Sequence, residues 1–281
     1  MIIEQHLDLY SQNTMRLHSI ADTVYYPESY DELKELISQL GSNCIVIAAG
    51  SNVILPERLQ RPVVSLMSLN YSIDITENSR VHVGCSVRVQ KLIRFIQEHH
   101  LGGIEYLYSI PASVGGLVYM NGGRGKSMNM AISDYLESVE FLDLNDMSIK
   151  TYKANRSDFT YRHSPFQDMN VIILSATFRF KNQEPVLTEQ LIKERLDYSK
   201  KYLSADKPSC GTAFCKGNRY IFRLLRGMRV GGAMFSKKTS NWISNANNAT
   251  YEDVCKLIKR TRIIHKIFFS SCEPEIRIIK E

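Results

Sequence analysis

The chain has 281 residues, 44% hydrophobic and 23% charged, which is ordinary for a soluble globular protein with one large or two to three small domains. The net charge of +6 suits anionic small molecules, but Lys and Arg are spread along the chain rather than gathered in blocks, and no nucleic-acid motif occurs. No apolar run nears the ~18 residues of a membrane span, the opening MIIEQHLDLYSQN lacks secretory-signal features, and the six cysteines include no C-x-x-C pair. These features predict a cytoplasmic protein with reduced thiols, no metal site, no membrane association and no nucleic-acid partner.

Along the chain, SYDELKELISQLG opens with Ser29 and Glu32 at capping-box spacing, repeats Leu33, Leu36, Ile37 and Leu40, and stops at Gly41, which predicts a helix. CIVIAAGSN follows as a short buried strand ending in small residues. RVHVGCSV alternates as a strand, VQKLIRFIQEHH places Val89, Leu92, Ile93 and Ile96 on one helical face, and LGG ends it. LESVEFLDLN, SIKTYKA and NVIILSATFRFK read as strands. From about Gln183 a charged helix, LTEQLIKERLDYSKKYL, sets a domain boundary near residue 182. TYEDVCKLIKRTRIIHKIF is a helix capped by Thr250 and Asp253, and CEPEIRII is a closing strand.

Between Ser109 and Asn129, SIPASVGGLVYMNGGRGKSMN holds five of the fifteen glycines. Backbone N–H groups unshielded by Cβ atoms can cradle a phosphate, although glycines also mark plain turns. Gly125, Lys126 and Ser127 mimic the end of a P-loop, but Met120 stands at the first glycine position, which weakens the nucleoside triphosphatase reading. The G-x-G-x-x-G fingerprint follows neither early strand, which argues against a dinucleotide site of that type.

Two loops, AAGSN and IPASVGGLVYMNGG, resemble the paired pyrophosphate loops of flavoproteins with the vanillyl-alcohol-oxidase/PCMH type of FAD domain. More narrowly, NTMRL, AAGSN, GIEYLYSIPASVGG, MNGG, YRHSPF, VILSATFRF, PSCGTAF, RVGGAMFS, NWISNANNATYEDV and EPEIRII resemble, in order, the UDP-N-acetylenolpyruvoylglucosamine reductase family. The resemblance implies an α+β protein with an FAD-binding domain over residues 1–182 and a smaller α+β substrate-binding domain over 183–281. It implies FAD and NADPH as cofactors, a nucleotide-sugar substrate, and noncovalent flavin. Ala48, Ala49, Gly50, Ser51, Asn52, Ser113, Val114, Gly115, Gly116, Asn121 and Gly123 fall in the flavin motifs. The amides of Gly50, Ser51, Asn52, Gly115 and Gly116 would face the pyrophosphate, with the Asn121 amide beside the flavin. Arg162, Thr212 and Glu275 fall at the catalytic positions.

Without the resemblance, Arg162 reads as a surface strand residue and Glu275 as a solvated strand end, and the competing reading of Thr212 is a turn threonine bonded to nearby backbone. The chain also departs from the family. Thr212 replaces a serine proton donor, Cys215 a lysine, His18-Ser19 a Gly-Gly pair, Arg124-Gly125 an alanine-aromatic pair, and Thr239 a frequent histidine. Cys210 and Cys215 read as inert thiols, His18 as solvated or capping, and Gly231-Gly232 as a close turn or a substrate-phosphate contact. The departures leave two rivals open: a paralogue acting on another enol or nucleotide-sugar, and a flavin-binding protein without turnover.

Overall fold

The computed structural model describes residues 1–76, 79–124, 128–204 and 206–281; Gly125, Lys126 and Ser127 of the P-loop-like sequence lie outside them. The chain forms two compact units that interleave in sequence: residues 1–3, 25–49 and 63–196, and residues 4–24, 50–62 and 197–281. Composition places a single boundary near residue 182, whereas the division recurs four times before its last crossing inside a helix. The reason is burial: Met15, Leu17 and Ile54 share an apolar cluster with Phe214, Ile243 and Leu257, and no composition shift reports that.

In the first unit, an antiparallel sheet runs in the order Ser148–Lys153, Leu136–Asp143, Val171–Arg179, Arg80–Gly84, Ile73–Thr76. The central strand buries Ile172, Ile173, Leu174, Ala176 and Phe178, the near-continuous apolar run of a strand covered on both faces. Ile45–Ile47 pairs in parallel with Val63–Ser65. Helix α1 (Tyr30–Leu40) is capped by Ser29 Oγ, which accepts the Glu32 N–H at 3.2 Å. The Glu32 carboxylate reaches beyond the cap to the Glu28 N–H at 2.8 Å and the N-terminal amine at 2.7 Å. Helix α2 (Val89–Glu98) buries Val89, Leu92, Ile93 and Ile96 as its periodicity requires. Its end is turned by His100 at φ 56° rather than by the following glycines, because Leu101–Gly102 pairs with Lys181–Asn182. Helix α3 (Val114–Tyr119) follows the Ser113 cap.

Helix α4 (Pro185–Tyr202) carries the chain across the last division. In the second unit, an antiparallel sheet runs Ser209–Thr212, Trp242–Asn245, Ala233–Phe235, Arg229–Val230. Helices α5 (Arg219–Leu224) and α6 (Tyr251–Ile267) pack Ile221, Phe222, Val254, Leu257 and Ile258 against it. CEPEIRII, read from sequence as one strand, is two: Glu273–Pro274 pairs with Phe214–Lys216, and Arg277–Ile278 pairs in parallel with Val53–Ile54. Proline has no N–H to continue a ladder, so the chain changes partner there and leaves Glu275 at the junction. Among the described residues, no helix is long and apolar enough to cross a membrane.

The cap of α6 is reciprocal: Thr250 Oγ1 accepts the Asp253 N–H at 3.2 Å, and Asp253 Oδ2 accepts the Thr250 N–H at 3.1 Å. The same Oδ2 accepts the Gly232 N–H at 2.9 Å. Thr250→Ala is therefore expected to cost about 1 kcal/mol, and Asp253→Ala more, because it orphans a second amide. Thermal unfolding of the two variants checks the order.

Candidate functional site

The first loop leaves the strand Ile45–Ile47 through half-buried Ala48 and Ala49 and continues as Gly50, Ser51 and Asn52 in the second unit. Gly50 has φ 65°, and a Cβ there would lie 1.9 Å from the Gln12 carbonyl oxygen, so only glycine fits. Three successive carbonyls are tied into the protein. Gly50 O accepts the Thr14 N–H at 3.2 Å, Ser51 O the Thr14 hydroxyl at 3.4 Å, and Asn52 O the Arg277 N–H at 2.9 Å. In a trans peptide the next N–H points opposite to the C=O. Each of the amides that follow, on Ser51, Asn52 and Val53, thereby points away from its own tied carbonyl.

The second loop belongs to the first unit. Ser113 Oγ caps α3 by accepting the Gly116 N–H at 3.4 Å. The Val114 and Gly115 amides are engaged inside the protein, donating to Val87 O at 2.8 Å and Cys85 O at 2.9 Å. Gly115 is thus required for close packing: a Cβ would lie 2.8 Å from Cys85 Cβ. A Cβ on Gly116 would meet only Ser113 Oγ at 3.5 Å and Ala48 Cβ at 4.0 Å, so this glycine lies alongside the start of the first loop. Asn121, at φ 42° and buried, donates Nδ2–H to Thr160 O at 2.7 Å. That bond fixes the amide's orientation, and it leaves Oδ1 buried with no partner among the described residues. Gly123 lies against the Met130 backbone, 2.0 Å from where its Cβ would stand.

Arg162 sits on a tight turn closed by reciprocal Thr160–His163 backbone bonds of 3.1 Å, and its φ is 61°. Two side chains dock this turn onto the end of α3. Ser164 Oγ donates to Tyr119 O at 2.6 Å, and Gln167 Nε2 donates to both Tyr119 O at 2.9 Å and Arg162 O at 3.1 Å. The same turn receives the Asn121 bond, so Arg162 is positioned directly by the second loop. Neither Ser164 nor Gln167 stood out in the sequence, where a polar residue beside a proline signals only a turn.

Thr212 and Glu275 meet in the second unit. The Glu275 N–H donates to Ala213 O at 2.9 Å, and Glu275 O accepts Asn52 Nδ2–H at 3.1 Å. Glu275 is thus held between the segment bearing Thr212 and the first loop. Half-buried Thr212 pairs across the sheet with Trp242, and its hydroxyl has no hydrogen-bond partner among the described residues. The turn-threonine alternative lacks the bond it requires. Trp242, missed in the sequence reading, carries a buried indole N–H with no partner among the described residues. Asn241 pins the neighbouring backbone, accepting the Phe214 N–H at 3.0 Å and donating to Phe214 O at 2.8 Å.

Cys210 and Cys215 do not form a reactive pair. Burial pushes the Cys210 thiol up to about 12, aided by the Glu275 charge, and raises Cys215 in the same way. Exposed His18 bonds Asp8 at 2.6 Å and stacks on Tyr10, as a solvated residue does. The Gly232 amide is taken by Asp253, and a Cβ on Gly231 would lie 2.1 Å from Asp253 Oδ1, so an acid occupies the place considered for a substrate phosphate. Thr239 bonds Tyr202 O at 2.9 Å. Among the described residues, no cluster of three His, Cys, Asp or Glu side chains could hold a metal.

A family model described as "FAD binding domain" matches residues 21–151, and one described as "UDP-N-acetylenolpyruvoylglucosamine reductase, C-terminal domain" matches residues 204–279. The chain is 30% identical to the UDP-N-acetylenolpyruvoylglucosamine reductase of Pelobacter propionicus over 282 residues, covering 95% of this chain and 92% of that protein. To the enzyme of the same name from Fusobacterium nucleatum it is 30% identical over 290 residues, covering 100% of both. The crystal structure of UDP-N-acetylenolpyruvylglucosamine reductase from Thermus caldophilus matches at a TM-score of 0.79 and 24% identity, covering 100% of both chains, a likeness of fold. The α+β organisation, with an FAD-binding domain and a reductase-type C-terminal domain, is thus as the sequence implied.

Two outcomes are expected. Gly50→Ala forces the first loop away from Gln12, so the purified protein should hold less FAD per chain, as measured by flavin absorbance against protein. The Cys85 and Cys210 thiols, raised by burial to about 11 and about 12, keep their protons in the folded chain above pH 9, where the unfolded chain loses them. The unfolded state then binds fewer protons, so stability falls as pH rises from about 9 to about 12. Melting temperature against pH reads this, and Cys210→Ala should flatten the fall.

Proposed function

This chain belongs to the UDP-N-acetylenolpyruvoylglucosamine reductase family, and from that premise we propose that it uses FAD and NADPH to reduce UDP-N-acetylglucosamine enolpyruvate to UDP-N-acetylmuramate in peptidoglycan precursor synthesis. The observation that carries this reading is the extent of the similarity, which covers the whole chain and both domains rather than the FAD domain alone. A nucleotide-sugar substrate and NADPH support work in the cytoplasm.

The residues present fit a flavin dinucleotide. Amides opposite tied carbonyls suit a diphosphate, and the Asn121 Oδ1, unmet among the described residues, suits an N–H or O–H of the bound group. Bound there, FAD would supply the two-electron redox chemistry that links NADPH to the enolpyruvyl substrate. We assign Ser51 and Asn52 to the diphosphate, and Ala48 and Gly116 to the close approach that small residues permit. The Gly115 amide, already bonded to Cys85, acts here through packing.

The remaining chemistry belongs to three side chains. Hydride addition to the alkene builds negative charge on the adjacent carboxylate, and a held guanidinium stabilises that charge. Arg162 suits the role: a left-handed backbone is disfavoured for arginine, and this turn is fastened from three sides. Glu275, fixed through its own N–H and C=O, is assigned as the hydrogen-bonding carboxyl of the second half-reaction. The Thr212 hydroxyl, without a hydrogen-bond partner among the described residues, gives the proton to the α-carbon.

Arg162→Met and Glu275→Gln should leave reduction by NADPH nearly intact and slow reoxidation by the enolpyruvyl substrate by about a hundredfold or more. Thr212→Val should do likewise while Thr212→Ser retains activity. Rapid-mixing absorbance of the two half-reactions separates these outcomes, and reoxidation at parental rates in all variants would overturn the assigned roles.

A further inference from the structure

Charge is unevenly placed along this chain. Residues 207–281 hold fifteen Lys and Arg against five Asp and Glu, a net +10 where the whole chain is +6. No acid lies between Asp206 and Glu252, or between Asp253 and Glu273. The structure concentrates this charge where apolar side chains are bare. At the end of α6, Ile267 is 65% exposed, Phe268 61% and Phe269 fully so, with Arg262 and Lys266 exposed beside them. On α5, exposed Tyr220 and Leu224 share a helical face at i, i+4 spacing, with exposed Arg219 and Arg223 one residue before each.

The two helices are joined at these ends. The Asn218 N–H, at the α5 cap, donates to His265 Nε2 at 3.2 Å in the last turn of α6, while His265 Nδ1–H donates to Thr261 O at 2.9 Å. Phe222 packs on the same imidazole with 4.8 Å between centroids. The buried faces of both helices point into the cluster that holds Phe214, so the exposed faces point away from it. Among the described residues, Arg262 and Lys266 form no ion pair.

Phe269 also breaks a local rule. The Ser270 N–H bonds His265 O at 2.8 Å and the Phe269 N–H bonds Lys266 O at 3.1 Å, which makes Phe269 the left-handed residue of a Schellman motif, with φ 50°. Glycine is the usual occupant. An aromatic here is disfavoured by its backbone and, fully exposed, gains no packing among the described residues that would compensate, so neither local structure nor packing accounts for it.

We propose that the end of α6 and the exposed face of α5 form a site for peripheral docking on an anionic phospholipid surface, with Phe268 and Phe269 entering the headgroup boundary and Arg262, Lys266, Arg219 and Arg223 above the phosphates. Charge complementarity favours an anionic surface. Exposure favours lipid over a protein: Phe269 is fully exposed and so lines no groove, and a deformable interface accepts a bare side chain without a matching pocket. The site is independent of the reductase reading and lies on rather than across the bilayer.

The test is cosedimentation of the FAD-loaded full chain with vesicles of phosphatidylcholine alone, or of equal parts phosphatidylcholine and phosphatidylglycerol, at low and high salt. The parent should pellet with the anionic vesicles, less at high salt, and little with the neutral ones. Phe269→Gly suits the left-handed backbone, so it should melt no lower than the parent and keep its flavin and turnover, while vesicle partitioning falls about tenfold or more. Arg262→Gln with Lys266→Gln should weaken binding and flatten its salt dependence. No pelleting of the parent with anionic vesicles, or equal pelleting of Phe269→Gly, overturns the proposal. So does sedimentation velocity showing a dimer that Phe269→Gly dissolves, with no vesicle binding, which assigns the tip to a second copy of the chain.

Discussion

A backbone segment can display consecutive N–H groups to a ligand only if the C=O groups opposite them are satisfied elsewhere, and the architecture of the second unit follows from that requirement. Thr14 meets it twice, with its own N–H and its hydroxyl, and Arg277 meets it a third time. Thr14 is in turn held by the Ser209 N–H, which donates to Thr14 O at 3.0 Å, and by the buried Asn13, whose side chain bonds Leu9 O, Leu17 O and the Leu17 N–H. The loop, the segment before it, the strand bearing Thr212 and the chain's last strand therefore form one hydrogen-bonded frame. Removing a member orphans buried backbone groups, each of which costs about 1–3 kcal/mol.

That frame explains what could be read from sequence. Periodicity located α1, α2, α6 and the strands of the first sheet, because burial there follows one face of one element: Val89, Leu92, Ile93 and Ile96 are all fully buried. The division into units was not legible, since it depends on Thr14, Met15 and Asn52 bonding to residues some two hundred positions later. The site was legible as motifs and illegible as chemistry. GG in the second loop suggested two displayed amides, yet the Gly115 amide is bonded to Cys85 O and the glycine answers a packing need. Trp242 lay in a recognised motif with no hint that its indole N–H would be buried without a partner.

The departures from the family pattern sort themselves by the same accounting. His18 is exposed and paired to Asp8, and Thr239 bonds a backbone carbonyl, so both serve local structure. Gly231 and Gly232 serve the α6 cap. Thr212 is different, because its hydroxyl has no structural employment among the described residues. Gly211 before it takes φ 74°, and even a Cβ there would come no nearer than 3.9 Å to the Trp242 ring. The extra methyl of threonine narrows χ1 while the hydroxyl is kept.

Left-handed residues distinguish two kinds of constraint in this molecule. At Gly50, the Gln12 carbonyl would stand 1.9 Å from a Cβ, so the surroundings forbid any side chain. At Arg162 and Phe269, the backbone would favour glycine but the chain supplies a long cation and an aromatic instead. Arg162 is fastened by Asn121 and Gln167, and its turn cannot relax away from its conformation. Phe269 is fastened by the two bonds of its motif and is otherwise bare. Strain of this kind persists where surrounding bonds over-determine the backbone, and it marks a position whose side chain is used beyond the fold itself. A guanidinium held on a turn is presented to an anion, and a bare aromatic held at a helix end is presented to something apolar.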